Sequence, residues 1–463
     1  MSRATITTRN PATGERLAEH PTHDAATLTQ LIEASAAAQR DWSQRPVADR
    51  AATVARLAPL LREQVEVHAQ LITAEMGKPL AQARAEVLKC AAVVDYYVDN
   101  AQQFLAPRNI DTAARDSHVA YEPLGTIFAI MPWNYPYWQV FRFAIPALIA
   151  GNSALLKHAA NVTGAARAIG ALFEQAGLPS GLFTVLVPQS HELVADIIEN
   201  PHISAVTLTG SETAGRAVAQ AAGRALKKCV LELGGSDPFV VLDDVESLES
   251  IIPQALQARF GNTGQSCLCA KRFIVVDKHY DRFVQLATAA VNELVLGDPT
   301  VDGTDLGPLA KEQFVDEIHE LVQDSVTAGA VLHTGGARGE GDGHYYLPTV
   351  LSEVTEHMPV FRQETFGPVM PIIRARDEAH AIELANDTIY GLGATVWTGD
   401  MQRGLRVGRR ITSGALFINE VAVSDPRLPF GGLKSSGYGR ELSVEGLREF
   451  TNIRTVWAAE LHN

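Results

Sequence analysis

The residues best suited to chemistry in this chain begin with a cysteine. Cys267 follows Gly261-Asn262-Thr263-Gly264-Gln265-Ser266, two glycines and four polar side chains. A structural cysteine usually sits among apolar neighbours as a small hydrophobe. The polar, glycine-rich setting predicts a close-approach turn with free backbone N–H groups facing the sulfur. Such groups lower a thiol's pKa and can hold an oxyanion. Cys267 therefore reads as a thiolate nucleophile, which needs a base, an oxyanion donor and an acceptor for whatever leaves.

Glu232, in Val230-Leu231-Glu232-Leu233-Gly234-Gly235, is the candidate base. Leucines on both sides and the glycine pair predict partial desolvation, which raises a carboxyl pKa into the range useful for base catalysis. An exposed glutamate at a strand end is the alternative. Asn134, in Pro132-Trp133-Asn134-Tyr135-Pro136, is the candidate oxyanion donor, because open α/β sheets place ligands just past strand carboxyl ends. A plain turn is its alternative. Thr209-Gly210-Ser211-Glu212-Thr213 follows a strand and opens a helix, so its N-terminus can receive a phosphate. Arg216-Ala217 stands where a Walker A loop requires Lys-Ser/Thr, and no Gly-x-Gly-x-x-Gly is present. The histidines are scattered and Cys267-x-Cys269 stands alone, so no metal is expected. Arg142, the one cation in Val140-Phe141-Arg142-Phe143-Ala144-Ile145-Pro146, needs an anion. Its partner is either an internal Asp or Glu or the carboxylate of a substrate.

These residues must be positioned by a large scaffold. A chain of 463 residues implies two or three domains. Its 46% hydrophobic and 20% charged residues are those of an ordinary globular enzyme. The net charge of −14 argues against nucleic-acid and anionic-membrane partners. No apolar stretch approaches the ~20 residues of a membrane span, and the first residues lack a signal-peptide layout. Four cysteines do not make a disulfide framework, so a reducing, cytoplasmic setting is expected.

Leu28 to Gln103 has helical spacing. From Thr126, short apolar runs (Ile127–Met131, Ser153–Lys157, Phe183–Leu186, Ala205–Leu208) alternate with helix-like segments. A second alternation follows Leu231: Phe239–Leu242, Arg272–Val276, Pro371–Ile373, Ala394–Trp397 and Ala415–Ile418. That pattern predicts an α/β protein with doubly wound parallel sheets. Ser117–Tyr121 and Ile453–Ala458 read as exposed edge strands that pair with another subunit.

Read together and in order, these segments resemble the aldehyde dehydrogenase superfamily. The resemblance runs from Asn10-Pro11-Ala12-Thr13-Gly14 to the last residues. It is carried by Pro132-Trp133-Asn134, Lys157, Thr209-Gly210-Ser211, Glu232-Leu233-Gly234-Gly235, Gly264-Gln265-Ser266-Cys267, Glu364-Thr365-Phe366-Gly367-Pro368 and Pro429-Phe430-Gly431-Gly432. It implies two doubly wound α/β domains and a small β arm for oligomerisation as a homodimer or homotetramer. The implied dinucleotide-binding domain is 1–104 with 124–231, the catalytic domain 232–440, and the arm 105–123 with 441–463.

The implied chemistry is attack of Cys267 on an aldehyde, hydride transfer to a nicotinamide cofactor, and hydrolysis of the thioester by water that Glu232 activates. Asn134 and the Cys267 backbone N–H hold the oxyanion. The resemblance further places Trp133, Gly210 and Gly234 along the cofactor, Lys157 and Glu364 at its ribose hydroxyls, Ser211 at its pyrophosphate and Phe366 beside its nicotinamide. Members that prefer NAD often carry a glutamate three residues after the lysine; here it is Ala160. The absence of that carboxylate favours NADP while leaving NAD usable.

The wording Ser424-Asp425-Pro426-Arg427-Leu428-Pro429-Phe430, with Arg142 eight residues past Asn134, is similar to the succinate-semialdehyde branch. It makes Arg142, Ser424 and Phe430 the implied substrate contacts. A second arginine of some members, six residues before the nucleophile, is Gly261 here. Cys269 matches a position that forms an inactivating disulfide with the nucleophile in some members; a small packing residue is the alternative. Glutarate semialdehyde or an uncharged aliphatic aldehyde is the other substrate reading. A cofactor-free thiol esterase or acyl transferase is the reading from a different class.

Overall fold

A computed structural model describes residues 4–460. Two sheets organise it. The first has six strands in the order Gly437–Tyr438, Lys228–Glu232, Ile203–Thr209, Thr126–Met131, Ser153–His158 and Phe183–Leu186, all parallel except the first. The second has seven: Val331–Thr334, Thr349–Ser352, Val369–Ala375, Ala270–Val276, Asp237–Val241, Gly393–Trp397 and Ala415–Ile418, again parallel except the first. Strands such as Asp237–Val241 and Ala270–Val276 are buried along their whole length. That is why they read as continuous apolar runs rather than as alternating ones. The α/β expectation holds, and the main parallel strands fall within a residue or two of the apolar runs.

Ser117–Tyr121 and Ile453–Ala458 do become strands, as Asp116–Pro123 and Thr451–Ala458; the second is an edge strand as expected, whereas the first is corrected to the inner strand. They pair antiparallel with each other, Ile453 opposite Tyr121, and Arg108–Asn109 adds a third strand. Long-range pairing within one chain joins their facing hydrogen-bonding rows, a contact that edge-like composition cannot reveal. On the remaining edge strand Ile453 and Trp457 stay exposed, at 66% and 59%. An N-terminal hairpin, Thr5–Arg9 with Arg16–Pro21, was not visible in the sequence because it carries little apolar alternation.

Five helices between Ala25 and Leu105 pack beside the first sheet. The last of them, Leu80–Leu105, sets the helix that follows Asn134. Trp138–Ala150 is buried at every position, so its first N–H groups cannot turn to water. Glu86 accepts from the backbone N–H groups of Tyr137 and Trp138 at 2.8 and 3.0 Å, and its other oxygen pairs with the buried ammonium of Lys78.

Removing the carboxylate alone should strand the Lys78 charge, at a cost of about 3–5 kcal/mol. Glu86→Ala is expected to lower the thermal midpoint strongly, whereas Lys78→Met/Glu86→Gln recovers part of the loss. Equal midpoints for the two variants would show that the pair does not fix this helix.

Candidate active site

The nucleophile rides on a strained turn. After the helix Ile252–Phe260, Asn262, Thr263 and Gly264 all take left-handed backbone angles, with φ of 54°, 55° and 74°. A β-branched threonine there is a genuine outlier. Its hydroxyl meets the backbone of Gly307, donating to O at 3.3 Å and accepting from N at 3.2 Å. Asn262 Nδ2 donates to the carbonyls of Asn134 (2.9 Å) and Gln265 (3.0 Å). A Cβ added at Gly264 would lie 2.2 Å from the Gly367 carbonyl oxygen, so no larger residue fits. Buried Arg259 donates to the carbonyls of Ala270 (3.0 Å), Gly264 (3.2 Å) and Thr365 (2.9 Å), and also to that of Gly367.

Cys267 opens onto two cavities, of about 380 and 400 Å³. Trp133, Asn134, Gly210, Ser211, Gly234, Glu364 and Phe366 line the first. Arg142, Cys269, Ser424 and Phe430 line the second. Lys157 and Ala160 line a third of about 200 Å³ against the loop Val187–His191. Every sequence-derived site residue except Glu232 therefore faces a cavity. Ser211 caps the helix Glu212–Arg224, its hydroxyl accepting from Ala214 N at 3.3 Å, and the start of that helix borders the first cavity. Trp133 stacks on Phe314 (4.9 Å between centroids) and meets Phe366 edge-on. Flat aromatic walls, a helix N-terminus, an amine and a carboxylate are a donor set that fits a dinucleotide.

Asn134 is buried and its Nδ2 donates to the Gln265 carbonyl at 3.0 Å. One N–H is thus pinned beside the nucleophile's loop and the other is left over. The backbone N–H of Cys267 has no acceptor among the described residues. The expected lowering of the thiol pKa is corrected. The sulfur is so hemmed in that burial pushes it up to about 11, outweighing the pull of Arg142 and Lys271.

Glu232 ends the strand Lys228–Glu232 and is desolvated, as expected. It is buried beside Glu441, Arg142 and Arg440, and lines neither cavity at Cys267. Burial first, and the Glu441 charge second, hold its carboxyl well above the ordinary range. Arg142 is no free clamp. Its guanidinium forms a buried ion pair with Glu441, donates to Thr209 Oγ1 at 3.2 Å and lies 4.7 Å from the Phe430 ring. The internal-partner alternative accounts for it, and that partner is 299 residues away in sequence. Cys269 is a free, buried thiol whose S–H points at the Gly261 carbonyl, 3.9 Å away.

The sequence reading missed four residues. Lys271 donates to the Cys267 carbonyl (2.9 Å) and to Glu364 (2.8 Å), which also accepts from Gly235 N at 3.0 Å. A lone lysine in the apolar strand Ala270–Val276 was the available signal. Gln139 lines both cavities, with a buried Oε1 that has no partner. Phe314 and Lys89 complete the walls, and helical spacing alone gives no hint of either.

The comparisons agree with this geometry. Residues 1–456 match the model of the aldehyde dehydrogenase family. The succinate semialdehyde dehydrogenase [NAD(P)+] of Escherichia coli is 46% identical over 97% of this chain and 96% of its own. The succinate-semialdehyde dehydrogenase [NADP(+)] of Deinococcus radiodurans is 45% identical over 97% of this chain and 94% of its own. The crystal structure of a succinic semialdehyde dehydrogenase from Streptococcus pyogenes with NADP+ superposes with a TM-score of 0.96. It is 36% identical, covering 98% of this chain and all of that one.

A thiol near pKa 11 has a testable signature. In a Cys269→Ala background without added cofactor, alkylation of Cys267 by iodoacetamide should accelerate about tenfold per pH unit from pH 7 to 10. A plateau below pH 9, followed by peptide mass, would mean that the thiol is already activated.

Proposed function

The chain belongs to the aldehyde dehydrogenase family, and from that premise we propose that it oxidises succinate semialdehyde to succinate, with NADP preferred and NAD usable. The observation that carries the reading is the position of Cys267 at the meeting of two cavities, one whose lining fits a dinucleotide and one bordered by cations. The substrate and cofactors named for the Escherichia coli and Deinococcus radiodurans relatives support it.

In this reading the Cys267 sulfur bonds to the aldehyde carbon as its thiol gives up the proton to solvent water. The carbonyl oxygen becomes an oxyanion held by Asn134 Nδ2 and the Cys267 backbone N–H. A bound nicotinamide dinucleotide supplies the hydride acceptor. Lys157 and Glu364 would hold its ribose hydroxyls, Gly210 and Ser211 its pyrophosphate, and Trp133, Gly234 and Phe366 its nicotinamide half. Ala160 leaves room for a 2′-phosphate and adds no repelling charge. Loss of hydride from the aldehyde carbon leaves a thioester on Cys267. Glu232 then turns out of its buried cluster as a carboxylate and takes a proton from water. That water attacks the thioester, and the C–S bond breaks to release the acid.

In this proposal the first sheet, apart from its edge strand Gly437–Tyr438, belongs to a dinucleotide-binding unit (1–104 with 124–231) and the second sheet to a catalytic unit (232–440). The exposed Ile453 and Trp457 edge makes the arm a docking strand for another copy.

A panel of aldehydes assayed with each nicotinamide cofactor tests the reading. The highest kcat/KM is expected for succinate semialdehyde with NADP. Asn134→Ala should lower kcat by roughly 10²–10³ while the protein stays folded. Turnover of thioesters but of no aldehyde with either cofactor would replace this reading with an esterase.

A further inference from the structure

The geometry points to Lys89, held by Ser424, as the anchor for the substrate's distal carboxylate. This rests on the reading above that the substrate is a semialdehyde acid, and it names a residue that neither the motifs nor the likeness supplied. Three cations border the cavity beside Cys267: Lys78, Lys89 and Arg142. Two already have a buried carboxylate of their own, Glu86 for Lys78 and Glu441 for Arg142. Lys89 has none among the described residues. Its Nζ donates to Ser424 Oγ at 2.8 Å and lies 4.1 Å from the centroid of the Trp138 ring.

An ammonium carries three donors and no acceptor. One is spent on Ser424 and the indole faces the charge, so a donor remains for a ligand. The other titratable groups acting on Lys89 are Arg142, the buried Cys90 thiol, Glu86 and Asp425. Asp425 is itself held by Arg427, at 2.8 and 2.7 Å. Each nearby carboxylate is thus engaged elsewhere. Burial, and then the Arg142 charge, hold Lys89 down at about 8, an environment that an incoming anion relieves.

The chemistry fits a short acid. Its aldehyde end reaches Cys267 while its carboxylate takes the remaining Lys89 donor and the Ser424 hydroxyl, both within the same cavity. An uncharged aldehyde would leave the ammonium with only a hydroxyl and a ring. Selectivity for the acid then comes from Lys89 rather than from Arg142.

Steady-state kinetics of Lys89→Met, Lys89→Gln and Lys89→Arg, with succinate semialdehyde and with butanal, test the assignment. Loss of one charge-assisted contact should raise KM for the semialdehyde by about 10- to 100-fold in the Met and Gln variants. KM for butanal should stay within about twofold, since no charge-assisted contact is lost there. Inhibition by succinate should weaken in parallel, and Lys89→Arg should retain most of the affinity. If the unaltered enzyme favours the semialdehyde but the Met and Gln variants lose affinity for both aldehydes equally, or for neither, Lys89 is not the anchor and the substrate reading stands. If the unaltered enzyme does not favour the semialdehyde over butanal, the substrate reading falls and takes the anchor with it.

Discussion

One guanidinium shared among four carbonyls holds the site together. Arg259 is fully buried and its bonds run to backbone oxygens, not to a carboxylate. A buried arginine without hydrogen bonds would be prohibitively costly. Here its rigid fork draws three separate segments onto one point. Gly264 belongs to the turn that carries Cys267. Thr365 and Gly367 bracket Phe366 in the loop that begins with Glu364, and Ala270 opens a central strand of the second sheet. The left-handed angles at Asn262 and Thr263 cost of order 1–3 kcal/mol each, and the bonds closing around them offset that strain. The result is that the sulfur's position and the dinucleotide-side walls are set by the same interaction.

On the other side of the sulfur, placement is decided by how cations are matched to carboxylates. Arg142 with Glu441 ties the helix Trp138–Ala150 to the chain just beyond the last strand of the first sheet. Lys78 with Glu86 ties the start of that helix to Leu80–Leu105. Both pairs are buried, and in both the cation already has a carboxylate of its own. Lys89 differs only in that its nearest polar partner is a neutral hydroxyl. That single mismatch turns a wall residue into a recognition element.

Much of this was legible in the sequence, and what was not has a common cause. Apolar runs located the main parallel strands because those strands are buried on both faces. Cys267 and Asn134 were found because glycine and polar residues punctuate apolar segments there, Glu364 and Phe366 only through the family resemblance, and the structure gathers all four at one cavity. Glu441 as partner of Arg142, Arg259 as the pin, and the pairing of Asp116–Pro123 with Thr451–Ala458 were not legible. Each joins residues whose meeting depends on the completed fold. Glu232 shows the limit most clearly. Its desolvation followed from flanking leucines, but the charges that act on it, Arg142 and Glu441, lie hundreds of residues apart in the chain.

The shifts at the site all favour the neutral form of the group. Burial pushes the Cys267 thiol up to about 11 and holds Glu232 well above the carboxylate range. It draws Lys89 down to about 8, and it lowers Lys157, with Lys311 adding to that effect. Each group is moved toward its neutral form, which is what a dry, enclosed site does to every charge not yet paired. A site in this condition binds anions with unusual benefit, since an incoming carboxylate or phosphate gives the buried ammonium groups an opposite charge and meets little competing water. The nucleophile and the base gain nothing from that step alone. In the proposed reaction Glu232 would have to leave Glu441 and Arg142 before it could accept a proton at the sulfur's side. On that proposal the resting arrangement favours binding an anion, and reactivity waits for the base to turn.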